Sequence, residues 1–119
     1  MAKYIVRIEL HGAGTNSEPY QRLHEEMSDI GFDRFIHPAG NVHEQYVLPS
    51  AEYFSDINTL PVDKIFEQIK AIATKINPDK RFKPYVLLSA LADVRWSLYE
   101  ASDPELHQLI AMKGNKSAL

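Results

Sequence analysis

From Lys3 to His11 apolar and polar residues alternate almost without a break. Tyr4, Val6, Ile8 and Leu10 share one parity, and Lys3, Arg7, Glu9 and His11 share the other, with Ile5 the one apolar residue among them. Successive side chains of a strand point to opposite faces, so the pattern predicts a half-buried strand that ends at His11-Gly12. The period then changes. Ser17 stands where a helix cap is expected and Pro19 falls in the first turn. Tyr20, Leu23, Met27 and Ile30 recur at helical spacing up to Gly31, a C-terminal cap. Phe32 to Ile36 reads as a short strand, His37-Pro38-Ala39-Gly40-Asn41 as a hairpin loop, and Gln45 to Leu48 as the returning strand. Pro49 cannot donate to a ladder, so pairing is expected to stop there or the strand to lie at an edge. Ala51 to Ser55 reads as an irregular extension.

Val62, Ile65, Phe66, Ile69, Ile72, Ala73 and Ile76 form one apolar stripe, which predicts a second helix ending at Asn77-Pro78. Asp63 in its first turn suits the helix dipole. Tyr85 to Leu91 is almost wholly apolar, the pattern of a strand covered on both faces. After a tight turn at Ala92-Asp93, Val94, Trp96 and Leu98 alternate with Arg95, Ser97 and Tyr99, which predicts a fifth strand hairpinned to the fourth. Ser102-Asp103-Pro104-Glu105 is a capping box opening a short helix through Leu106, Leu109 and Ile110, closed at Lys113-Gly114.

The first six elements make the α+β, ferredoxin-like βαββαβ arrangement, an antiparallel sheet with two helices on one face. The expected organisation is a ferredoxin-like domain over residues 1–100, including the added fifth strand, and a C-terminal helical extension over 101–119. The alternative is another α+β meander with a different strand order. In the ferredoxin-like order the first strand is central. Its Tyr4–Leu10 row faces the helices, and Arg7, Glu9 and His11 lie on the open face or at its rim. Ile5 and part of Tyr85–Leu91 make that face partly apolar. A homodimer through the sheet face or the fifth strand would cover it, and so would the terminal helix of the same chain.

Composition narrows the chemistry. The chain has 119 residues and is 45% hydrophobic, enough for one core. It has no cysteine, which excludes thiolate catalysis, disulfides and cysteine-ligated zinc. No run approaches the ~18 apolar residues of a membrane helix, and the start lacks the apolar core of a leader. A cytoplasmic protein without a membrane partner is expected. The net charge of −3 is unlike that of a dedicated nucleic-acid binder, so any RNA contact has to be a local patch. The Gly12-Ala13-Gly14 loop lacks the third glycine and the lysine of phosphate-binding motifs.

Four stretches carry a family likeness. They are Tyr4 to His11, Leu23-His24-Glu25-Glu26-Met27 leading to Gly31-Phe32, Tyr46-Val47-Leu48-Pro49-Ser50-Ala51-Glu52-Tyr53, and Tyr85-Val86-Leu87 with Arg95-Trp96. Together they resemble a family of small bacterial and phage proteins grouped with the GhoS endoribonuclease antitoxins, themselves similar in fold to small CRISPR-associated nucleases. The resemblance spans roughly Lys3 to Tyr99. It implies a ferredoxin-like fold, dimerisation and RNA cleavage in a toxin–antitoxin setting. The CRISPR-associated family places a metal-linked aspartate at the end of its first strand, where this chain reads Glu9-Leu10-His11. A metal-dependent mechanism therefore does not carry over, and no cofactor is assigned.

Glu9 and His11 are two apart on a strand and share a face. A carboxylate beside an imidazole favours general acid–base work, and Arg7 on the same face can stabilise phosphate charge. His11, Glu9 and Arg7 are thus the catalytic candidates for metal-independent RNA cleavage, set against a plain cross-strand ion-pair ladder. Arg34, Tyr46, Arg95 and Trp96 are the RNA-contact candidates, because aromatic rings stack on bases and guanidinium groups pair with phosphate. For Trp96, the one tryptophan on an alternating strand, a core or interface place is the stronger reading. His37, His43 and Glu44 could gather at the hairpin, but no recognised zinc spacing is present and no metal is assigned. Lys80-Arg81-Phe82-Lys83 is a small basic cluster that reads as a solvated loop. Two functions stay open, a GhoS-like ribonuclease and a non-catalytic dimeric module that binds another protein.

Overall fold

The computed structural model describes residues 2–14, 17–41 and 43–112. Among them run β1 (Lys3–Glu9), α1 (Glu18–Asp29), β2 (Phe35–Ile36), β3 (Tyr46–Val47), β4 (Glu52–Ser55), α2 (Val62–Ile76), β5 (Tyr85–Leu91) and α3 (Pro104–Met112). The result is an α+β architecture with a three-stranded antiparallel sheet, β4-β1-β5, and a two-stranded one, β2-β3. The expected helix close at Lys113-Gly114 lies outside the described residues.

The alternation of β1 does what its period requires. Tyr4, Val6, Ile8 and Leu10 are buried against α1 and α2, whose own apolar rows (Tyr20, Leu23 and Met27; Ile65, Ile69, Ala73 and Ile76) complete the main core. The end of β1 is tied to α1 by the Leu10 N–H, which donates to the Tyr20 hydroxyl at 2.9 Å. On the opposite face a second cluster forms around Ile36, Leu48 and Phe54, with Ile5, Leu91, Val94, Trp96 and Leu98 packed against it. Among the described residues no helix is long and apolar enough to cross a membrane.

Four expectations are corrected. Residues 94–99 form no strand. Their alternation is a burial pattern, because Val94, Trp96 and Leu98 lay an extended but unladdered segment over the second cluster, leaving one bridge, Tyr46 to Glu100. This segment, rather than the terminal helix, covers Ile5 and Leu91 on the open face and leaves Tyr85 and Leu87 exposed there. Glu52–Ser55 is no irregular extension but β4, paired with β1 in the register Arg7↔Glu52 to Tyr4↔Ser55. It is launched by a turn in which Ala51 takes a φ of 67°. Tyr85–Leu91 is not covered on both faces. It is an edge strand with Tyr85 58% and Leu87 67% exposed, since the segment expected beyond it leaves the sheet. The strands bracketing the hairpin shrink to two residues each, because the chain beside them is held by Arg34 and by a bridge from Asp33 to Phe54.

The caps also differ in detail. Ser17 sits at the α1 cap position, but its hydroxyl donates to the Gly14 carbonyl. At α3 the capping oxygen is Oδ1 of Asp103, which accepts from the Glu105 N–H at 2.9 Å, in place of the expected Ser102.

Candidate functional site

Beyond the second cluster, one end of the open sheet face stays uncovered. The register places Arg7 between Glu52 and Leu87, and Glu9 beside Tyr85. Arg7 Nη1 meets Glu52 Oε2 at 3.3 Å in an exposed pair, the cross-strand ladder that the sequence also allowed. Such a pair contributes little to stability and yields easily to another anion.

Past Leu10 the chain leaves the strand, and a buried asparagine takes over. Asn77, 1% exposed at the end of α2, accepts the His11 N–H at Oδ1 (2.7 Å). Its Nδ2 donates to the carbonyls of Phe82 (2.8 Å) and Asp79 (3.1 Å). The Asp79 N–H in turn donates to the His11 carbonyl at 3.1 Å. Gly12, with φ +84°, turns the chain here. A Cβ on it would stand 3.2 Å from that of Asp79.

This clamp joins the end of β1 to the Asp79–Lys83 turn. The His11 ring is edge-on to Tyr85 (4.7 Å between centroids, 86°) and to Phe82 (6.1 Å, 63°), and Phe82 is 57% exposed. His11, Phe82, Lys83 and Tyr85 line one recess. A larger cleft of about 630 Å³ follows the edge of β5, between Phe66, Lys70 and Thr74 of α2 and the chain from Lys83 to Leu87, with Arg7 and Glu9 at its rim.

The basic cluster before β5 is partly engaged. Arg81 donates to Asp79 through Nε (3.0 Å) and Nη2 (2.8 Å), and this bond holds the Asp79 carboxyl below its ordinary range. Lys80 Nζ donates to the carbonyls of Thr74 and Lys75, closing the C-terminal end of α2. Lys70 and Lys83 make no ion pair among the described residues.

The three catalytic candidates, Arg7, Glu9 and His11, thus gather at one end of the open face. Among the described residues no hydrogen bond joins Glu9 to His11. The four RNA-contact candidates do not form one surface. Arg34 is 7% exposed and donates to the carbonyls of Pro49 (2.8 Å), Glu52 (2.5 Å) and Leu48 (3.3 Å), so it serves the fold. Tyr46 gives its hydroxyl hydrogen to Glu44 at 2.6 Å, a bond that pushes the phenol pKa up to about 12, and its ring leans on Trp96. Trp96 is half-buried in the second cluster. Arg95 is exposed and bound to Asp93. At the hairpin, His37 pairs through Nε2 with Asp56 at 3.2 Å and through Nδ1 with the Pro38 carbonyl. No group of three potential metal ligands forms among the described residues.

Asn77, Phe82, Lys83 and Tyr85 were not among the candidates. The one signal for them was the Lys80–Lys83 cluster, whose place beside His11 depends on side-chain bonds of Asn77 that no local pattern shows. No family model, no curated protein and no solved structure matches this chain.

Proposed function

We propose that this protein handles RNA at the His11 end of its open sheet face, as a metal-independent endoribonuclease of GhoS-like type. The observation that supports the reading is the wedge of His11 between two exposed aromatic rings, Phe82 and Tyr85, on the face that also carries Arg7 and Glu9. Unpaired bases stack on such rings, and Lys83 and Arg7 beside Tyr85 supply a local positive patch. In the proposed reaction His11 takes the proton of a ribose 2′-hydroxyl. The 2′-oxygen attacks the adjacent phosphorus, and the 5′-oxygen leaves with a proton from water. Arg7 exchanges Glu52 for the phosphate and stabilises the charge that builds on it. A ferredoxin-like sheet belongs to the same reading. The order β5-β1-β4, with the chain entering β2 bridged to β4 at Asp33 and Phe54, is compatible with it.

Incubation of a mixed RNA pool with the purified protein, with and without EDTA, tests this. Cleavage is expected to survive EDTA and to be lost in His11→Ala. Combined Phe82→Ala and Tyr85→Ala is expected to weaken RNA binding roughly tenfold or more, the loss that follows from removing stacked bases. No cleavage and no binding under any condition would end the reading.

A second reading, a protein-interaction module, has its own support in the free edge of β5. Seven residues without a charge, a proline or a bulge line it, and natural sheets blunt such edges unless they are used. A homodimer through this edge predicts concentration-dependent sedimentation that Ala90→Pro abolishes. A monomer at high micromolar concentration would exclude the homodimer.

A further inference from the structure

The backbone of β5 shows which atoms the free edge offers. The Ile8 N–H donates to the Ala51 carbonyl at 2.9 Å, so Tyr4, Val6 and Ile8 turn their backbone groups towards β4. In an antiparallel ladder alternate residues bond to opposite neighbours, so Ile5, Arg7 and Glu9 turn theirs towards β5. Their partners there are Ser89, Leu87 and Tyr85. Val86, Leu88 and Ala90 are therefore the residues whose N–H and C=O groups point away from the sheet. Val86 is also part of the lining of the cleft along this edge.

That cleft has apolar lining from Phe66, Pro84 and Val86, and its charged groups are Lys70, Lys83 and Arg7 against one carboxylate, Glu9, with no ion pair to either lysine among the described residues. Leu87 is exposed on the opposite face of β5, where the cleft wraps round the edge. An added strand would put alternate side chains on these two sides.

We propose that the β5 edge receives an extended segment of a partner protein, with apolar residues at one parity lying over Leu87 and carboxylates at the other reaching the ammonium groups of the cleft. This goes beyond the RNA reading and deepens the interaction reading, on which it rests. A second copy of the chain fits less well. A second copy would offer β5 itself, Tyr85–Leu91, and that strand carries no carboxylate to meet Lys70 and Lys83.

The probe is the peptide acetyl-Thr-Glu-Val-Glu-Val-Glu-Thr-amide, compared with the same peptide carrying Lys for Glu, and the readout is amide hydrogen exchange of the full chain followed by NMR. The Glu peptide is expected to slow exchange at Val86 and Leu88 by about tenfold or more, with the inward-bonded Leu87 and Ser89 unchanged. The Lys peptide is expected to have no effect. Lys70→Glu combined with Lys83→Glu is expected to reverse the preference. Equal protection by both peptides, or protection that rises with protein concentration alone, overturns the acidic occupant but keeps the edge as an interaction site. Exchange at Val86 and Leu88 that nothing changes overturns both.

Discussion

Arg34→Ala is expected to destabilise the protein by about 3–4 kcal/mol, read as a drop in the urea midpoint at unchanged slope. The guanidinium is buried between α1 and the turn that launches β4, and burial pulls its pKa down from its ordinary value. It stays because it donates to the carbonyls of Leu48, Pro49 and Glu52, and an alanine would remove all three bonds, the one to Leu48 in buried surroundings. The same turn holds Ala51 in the left-handed region, at a penalty of about 1–2 kcal/mol that neighbouring contacts must offset. Because the Ala51 carbonyl receives the Ile8 N–H, loosening the turn also loosens the pairing of β4 with β1. Arg34→Lys should recover only part of the loss, since an ammonium lacks the planar fork that reaches several carbonyls at once. A loss below about 1 kcal/mol for the alanine variant would show that water replaces the guanidinium without penalty.

Acid is expected to weaken the fold through His24. Its Nδ1 is hydrogen-bonded to the Tyr53 hydroxyl at 2.7 Å, and its Nε2 is buried without a hydrogen-bond partner among the described residues. Burial, helped by the nearby Arg34 cation, lowers the imidazole pKa from 6.5 to about 4. Between those two values the unfolded chain binds a proton that the folded protein refuses, so stability falls as pH drops from 6.5 towards 4 and is untouched above that window. A shift of this size corresponds to about 3 kcal/mol, which solvent at the open side of the ring reduces to about 2 kcal/mol. His24→Gln cannot take up the proton and should flatten this part of the profile. Urea unfolding of both proteins at pH 7.5 and 4.5 measures the difference. The carboxyls of Asp79 and Asp93, held low by Arg81 and Arg95, act with the same sign in both proteins and cancel in the comparison. Parallel profiles would remove His24 as the cause.

The sequence by itself determined β1, α1 and α2 and which of their faces would be buried. Periods of 2 and 3.6 are properties of the local backbone, so a row such as Tyr4, Val6, Ile8 and Leu10 names its own buried side. It also placed Arg7, Glu9 and His11 on the open face. It did not separate a ladder from a mere burial pattern. Val94, Trp96 and Leu98 alternate as a strand would, yet they lie over an apolar cluster, while Glu52–Ser55, with less alternation, pairs with β1. Nor did it distinguish Arg34, held inside by carbonyls, from an arginine facing solvent. Only the tertiary structure decided that β5 is an edge, that Asn77 draws His11 to Phe82, and that Tyr85 completes the recess. Those outcomes depend on partners 66 residues apart for the His11–Asn77 bond and on which strand comes to lie beside which. A local pattern reports the side of an element that seeks cover, and the packing of distant segments determines what supplies it.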